Sequence, residues 1–143
     1  MAIKRRLAEL QPAYEAMEFE LERGVIHGDA NVGNVIRDRS GAPLLADLDS
    51  FAIGPREWDL VLTALYFERF GWHTEREYRQ FVDGYGFDIM QWSGYQVMAD
   101  VRELLMVAWL AEKAVSEATA AEEFARRVET LRSGGSRRDW RAF

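Results

Sequence analysis

A chain of 143 residues with 48% apolar and 29% charged side chains can bury a core of its own and is too apolar to be disordered. Its net charge of −6 and lack of a basic stripe argue against nucleic acid or anionic membrane as the main partner, and the absence of cysteine removes disulfides, thiolate catalysis and zinc–thiolate sites. No apolar run of about 18 or more residues could span a bilayer, and no basic segment with an apolar core marks a signal peptide, so a cytoplasmic protein is expected.

Leu7, Leu10, Tyr14, Met17 and Leu21 recur at the three-to-four spacing of one helical stripe. Pro12 interrupts it, so the helix is expected to start near Pro12 or to bend there, and Gly24 suits its end.

The stretch from Val25 to Leu60 gathers most of the residues able to do chemistry. Val25-Ile26 reads as a short buried strand, with His27-Gly28-Asp29 where a loop begins. Asn34 opens a second apolar piece, Val35-Ile36, and a polar turn over Asp38 to Gly41 leads to a third strand, Pro43 to Leu48, making a small hairpin. If Asp47 and Asp49 are still extended, the two-residue period puts both carboxylates on one face of that strand, toward the loop of Asp29 and Asn34. Hard oxygen donors of this kind hold Mg²⁺ together with substrate phosphates.

Trp58 to Phe70 then reads as a helix buried in its first turns and ended by Gly71. Thr74 to Glu77 forms a capping box for a helix with Tyr78, Phe81, Val82 and Tyr85 on one face, broken by Gly84 and Gly86. A second box, Ser93 to Gln96, opens the longest helix, with Val97, Val101, Leu104, Leu105, Ala108 and Trp109 inward to about Val115. A third, Thr119 to Glu122, starts a helix with Phe124, Val128 and Leu131 inward, closed by Gly134-Gly135.

The ordered set of H-G-D-x-x-x-x-N from His27 to Asn34, a hydrophobic strand ending in Asp47, and G-P-x-x-x-D-L from Gly54 to Leu60 resembles the aminoglycoside phosphotransferase and choline kinase group. The Asp-to-Asn spacing is also that of the protein-kinase catalytic loop. The resemblance implies a mostly helical α+β fold: a protein-kinase-like C-terminal lobe over residues 1–132, with a small β-hairpin region carrying the catalytic loop and about five helices; residues 133–143, polar and basic with two stray aromatics, read as a flexible tail. It implies an ATP- or GTP-dependent phosphotransferase of small-molecule hydroxyl groups that uses Mg²⁺. By position, Asp29 matches the catalytic acid that orients the hydroxyl and accepts its proton, while Asn34 and Asp47 match the ligands of the metal and its nucleotide. Asp49 falls where relatives often carry a further acid and is a second carboxylate for the metal. Asp59 matches a structural acid that receives loop N–H groups, and His27 a loop organiser.

A complete kinase of this type also has an N-terminal lobe with a phosphate-covering loop and a lysine for the nucleotide phosphates. Here the lysines are Lys4 and Lys113, and the roughly 24 residues ahead of the catalytic strand are too few for a five-stranded lobe. The expectation is therefore a C-terminal lobe alone, with Arg37 and Arg56 as surface arginines beside the motif. A vacant hairpin face would then invite self-association or a covering partner, with the first helix as an added contact.

Two other readings stand beside the kinase. One is a non-catalytic lobe acting as a binding module, favoured by the missing nucleotide anchors. The other is a non-haem iron oxygenase using His27, Asp29 and His73, weakened by the lack of a barrel-like scaffold. For a kinase, the thirteen acidic against seven basic side chains between residues 58 and 131 favour a cationic acceptor, with Asp83, Asp88, Asp100 and Glu103 as the acids to inspect.

Overall fold

The computed structural model describes residues 2–143. Helix α1 (Ala2–Glu15) leads to strand β1 (Gly24–Ile26), the strands β2 (Val35–Arg37), β3 (Pro43–Leu45) and β4 (Ala52–Gly54), and the helices α2 (Glu57–Glu68), α3 (Glu75–Tyr85), α4 (Tyr95–Lys113) and α5 (Ala118–Ser133). This is the mostly helical α+β organisation expected, with five helices and two small antiparallel sheets among the described residues.

Helix α1 neither starts at Pro12 nor continues to Leu21. It carries Pro12 in its last turn, where one helical N–H is missing, and stops at Glu15. Beyond the helix, the N–H groups of Glu20 and Leu21 both donate to Oε1 of Glu57, at 2.8 and 2.7 Å. That buried carboxylate replaces the helical carbonyls as acceptor.

The expected hairpin forms as β2 and β3, in the register Val35↔Leu45 and Arg37↔Pro43. Its turn is fixed by Asp38, whose Oδ1 accepts from the N–H groups of Ser40 and Ala42 and from the Ser40 hydroxyl. These bonds, the Ser40 hydroxyl foremost, hold the Asp38 carboxyl below the usual range. The third strand is shorter than expected, however, ending at Leu45. Strand β1 pairs instead with β4, Val25 opposite Ile53. Val35, Ile36, Leu44 and Leu45 are exposed.

Helix α2 is the centre of the core. Leu60, Val61, Leu62, Ala64 and Leu65 are all essentially buried, and apolar residues on every side of a helix require neighbours on every side; α3 and α4 supply them. The Thr74–Glu77 capping box starts α3 with both reciprocal bonds, and Gly86 ends it with a positive φ of 84°. The other two expected boxes do not form: Gly94 and Glu117 precede α4 and α5 without a side-chain cap. The inward face of α4 is also rotated from the expected one. Met98, Ala99, Arg102, Leu104, Val107 and Leu110 are buried, while Leu105 and Trp109 are 48% and 44% exposed.

The tail expected to fray is docked. Trp140 is 2% exposed and stacks on Phe70 at 5.3 Å between centroids. Its carbonyl accepts from Trp72 Nε1 at 3.0 Å, and Arg127 lies over its ring while donating to the Arg141 carbonyl. A buried aromatic of this size outweighs the polar composition around it.

Candidate functional site

The site begins where β1 ends. His27 is buried, and its ring bridges two segments: Nε2 lies 2.8 Å from the Ala46 carbonyl and Nδ1 3.3 Å from the Asp29 N–H. Both contacts are satisfied when the proton sits on Nε2. The ring thereby ties the residue before Asp47 to the loop of Asp29.

Gly28 follows with a φ of 87°, and a Cβ there would stand 2.5 Å from the Ser50 carbonyl oxygen, so the position requires glycine twice over. Its backbone is a hub. The Gly28 N–H donates to Asp59 Oδ1 at 2.9 Å, while the His27 N–H donates to Asp59 Oδ2 at 2.6 Å. The Gly28 carbonyl accepts from Trp58 Nε1 at 2.8 Å and from Arg102 Nη1 at 3.3 Å. One carboxylate at the start of α2 thus holds the entry of the loop, as a charge-assisted cap would.

Asp29, with its side chain 47% exposed, is gripped from two sides. Asn34 Nδ2 donates to its carbonyl at 2.8 Å and to Oδ2 at 3.2 Å, and Asn31 Nδ2 donates to the same two oxygens at 3.2 Å. On the other side, Arg102 Nη2 stands 3.4 Å from Oδ1. Burial lowers the Arg102 pKa and the charge of Asp29 opposes that fall; burial raises the Tyr66 phenol, and Asp29 adds to the rise.

Asn34 and Asp47 are brought to the same end of the hairpin. The Ala46 N–H donates to the Asn34 carbonyl at 2.8 Å, extending the β2–β3 ladder by one pair, and Asp47 comes next. Asp47 then leaves the strand with a positive φ of 56°, and Leu48–Ser50 forms a single 3₁₀ turn. The alternation that would have put Asp47 and Asp49 on one face of a strand is therefore broken; Asp49 lies exposed on that turn. A non-glycine residue in the left-handed region is uncommon and recurs at functional positions.

The His27, Asp29, His73 triad does not assemble. Both ring nitrogens of His27 are engaged within the loop, and among the described residues no group of three or more His, Cys, Asp or Glu side chains could hold a metal ion. Mg²⁺ does not need such a cage, since it retains waters and takes one or two protein carboxylates with substrate phosphates. The donor set fits that mode: the Asp47 carboxylate and the oxygen of the Asn34 amide, whose nitrogen is turned to Asp29.

Beside the loop opens a cleft of about 560 Å³ lined mainly by apolar atoms, with Val32, Asn34, Leu45, Thr63, His73 and Phe81 among its walls. Its volume is in the range of small-molecule sites. The acids expected to favour a cationic acceptor are largely engaged away from it. Asp88 accepts from the Tyr78 hydroxyl, Asp100 pairs with Arg6 and Arg69, and Glu103 pairs with Arg69 and Arg137. Arg37 and Arg56 donate to the carbonyls of Gly41 and Glu22.

Sequence reasoning missed Trp58, Glu57 and Arg102. The available signal for Arg102 was its place on the longest helix, four residues after Met98 on a stripe one step round from the one chosen.

The sequence model described as "phosphotransferase enzyme family" matches residues 1–104, a span that includes the loop, the hairpin and Arg102. No curated protein matches the chain.

Proposed function

The chain belongs to the phosphotransferase enzyme family, and from that premise we propose that it transfers the terminal phosphoryl group of ATP or GTP to a hydroxyl group of a small molecule. The observation that carries this reading is the Asn34 amide bonded to Asp29 at 2.8 and 3.2 Å, with Asp47 next to the same hairpin end. That bond holds Asp29, read as the proton acceptor, against Asn34, read as one metal donor, and the hairpin returns Asp47, read as the other, to the same end.

Bound with nucleotide, Mg²⁺ would supply positive charge to offset the negative charge that develops on the phosphates. Asn34 and Asp47 would hold it, and Asp49 adds a negative charge on the neighbouring turn. Asp29 receives the acceptor hydroxyl at its exposed edge, orients it for in-line attack, and takes its proton as the new P–O bond forms and the bond to the leaving diphosphate breaks. His27, Asp59 and Trp58 keep the loop backbone fixed, so catalysis is positioning and charge stabilisation rather than covalent chemistry. The apolar cleft beside the loop suits the body of the acceptor. A cytoplasmic location, where nucleotide and Mg²⁺ are available, goes with this reading.

The test is phosphoryl transfer followed by ³¹P NMR, with Mg²⁺·ATP and a panel of aminoglycosides, amino alcohols and neutral hydroxyl compounds. A phosphomonoester is expected with the wild type and none with Asp29→Asn. Undiminished transfer by Asp29→Asn, or no transfer to any acceptor while nucleotide is bound, would overturn the proposal.

A further inference from the structure

Arg102 is a cation placed where packing alone gives no reason for one. Its side chain is 9% exposed, its Nε is buried without a partner among the described residues, and its guanidinium lies over the Trp58 ring at 4.4 Å from the centroid. A methionine would fill such a volume without desolvating a charge. Asp29 is the carboxylate within ion-pair distance of it among the described residues, and the Gly28 carbonyl takes its other terminal nitrogen.

We propose that Arg102 is a positioning residue for Asp29, fixing the direction of its carboxylate from beneath the loop. The inference rests on the reading of Asp29 as the proton acceptor. Asn31 and Asn34 hold Oδ2 while Arg102 holds Oδ1, so the carboxylate is restrained on both oxygens. All three contacts lie between 3.2 and 3.4 Å, longer than the roughly 2.7–2.9 Å of a strong charge-assisted bond. They set orientation without claiming the lone pair that must receive a proton. Trp58 completes the arrangement: its indole N–H fixes the Gly28 carbonyl at 2.8 Å, and its face carries the guanidinium. Arg102 is too deeply buried to serve as a phosphate ligand itself, so it acts through Asp29.

The test has an arm that needs no activity. Melting temperatures are measured for the wild type, Asp29→Asn, Arg102→Met and the double variant. Asp29→Asn should lower the melting temperature by at least about 2 °C more in the wild-type background than in Arg102→Met, because only the former leaves a buried guanidinium without its carboxylate. Should Arg102→Met not fold, Arg102→Gln takes its place under the same criterion. In the transfer assay, Arg102→Met should lower kcat by about tenfold or more with the nucleotide KM within about twofold, and Arg102→Lys should restore part of the loss. Equal melting shifts in the two backgrounds, or full kcat in Arg102→Met, would overturn the proposal. Coupling in the melts with no transfer by the wild type would refute the phosphotransferase reading and leave the Asp29–Arg102 restraint standing.

Discussion

Glu57 and Asp59, two residues apart in the first turn of α2, turn their carboxylates on two different segments of the chain: Glu57 receives the N–H groups of Glu20 and Leu21, and Asp59 those of His27 and Gly28. The positive end of the α2 dipole favours acids at these positions. One helix start therefore fixes both the approach to β1 and the loop that leaves it.

Replacing Asp59 by Ala should leave two loop N–H groups without their acceptor, at ~1–3 kcal/mol for each one that stays buried. Urea unfolding measures the loss. An unchanged midpoint would remove Asp59 from the account of how the loop is held.

Glu57 is fully buried, and its Oε2 has no partner among the described residues. Glu57→Gln keeps an acceptor oxygen and removes the buried charge, whereas Glu57→Ala abandons both N–H groups, again at ~1–3 kcal/mol each. Glu57→Ala should be the clearly less stable of the two. Equal stability of the variants would mean that the segment ahead of β1 is not held by this carboxylate.

The capping box of α3 makes a prediction about pH. The Thr74 backbone N–H, and after it the Thr74 hydroxyl, hold the Glu77 carboxyl below its usual value of 4.5. A carboxyl whose folded pKa is depressed stabilises fully above its unfolded pKa and loses that contribution as pH falls through the folded one. The melting-temperature gap between the wild type and Glu77→Gln should thus be open near neutral pH and close in acid below 4.5. A gap that does not depend on pH would show that the box contributes no charge-assisted bond.

Trp140 supplies the fourth test. Its ring is buried against Phe70 and beneath Arg127, so Trp140→Ala should cost about 3–5 kcal/mol and should mobilise the residues after α5. Calorimetry with hydrogen exchange over residues 134–143 would read both effects. A loss of a few tenths of a kcal/mol would place the tail outside the cooperative fold.

These relationships differ in how far the sequence could reveal them. The loop from His27 to Asn34, the hairpin turn at Asp38 and the capping box at Thr74 are built from local bonds between residues two to five apart, so their spacing carries the signal. Strand β4 is three residues long and pairs with β1, 28 residues away at Val25 and Ile53, which leaves no local period to read. On α4, apolar residues cover more than one side, so periodicity alone could not choose between the face of Leu105 and that of Met98. The left-handed turn at Asp47 has no glycine to announce it, and the docking of Trp140 depends on Phe70, distant in the chain. The ion contact between Asp29 and Arg102 spans 73 residues and exists only once α4 has packed.

In the proposed function Asp29 serves proton transfer while Asp47 serves the metal and its nucleotide. The most direct measurement is calorimetric titration with a non-hydrolysable ATP analogue, with and without Mg²⁺, on the wild type, Asp29→Asn and Asp47→Asn. Mg²⁺-dependent binding is expected, left within about twofold by Asp29→Asn and weakened by about tenfold or more by Asp47→Asn, a change of ~1.4 kcal/mol. Equal loss in the two variants, or binding indifferent to Mg²⁺, would contradict it.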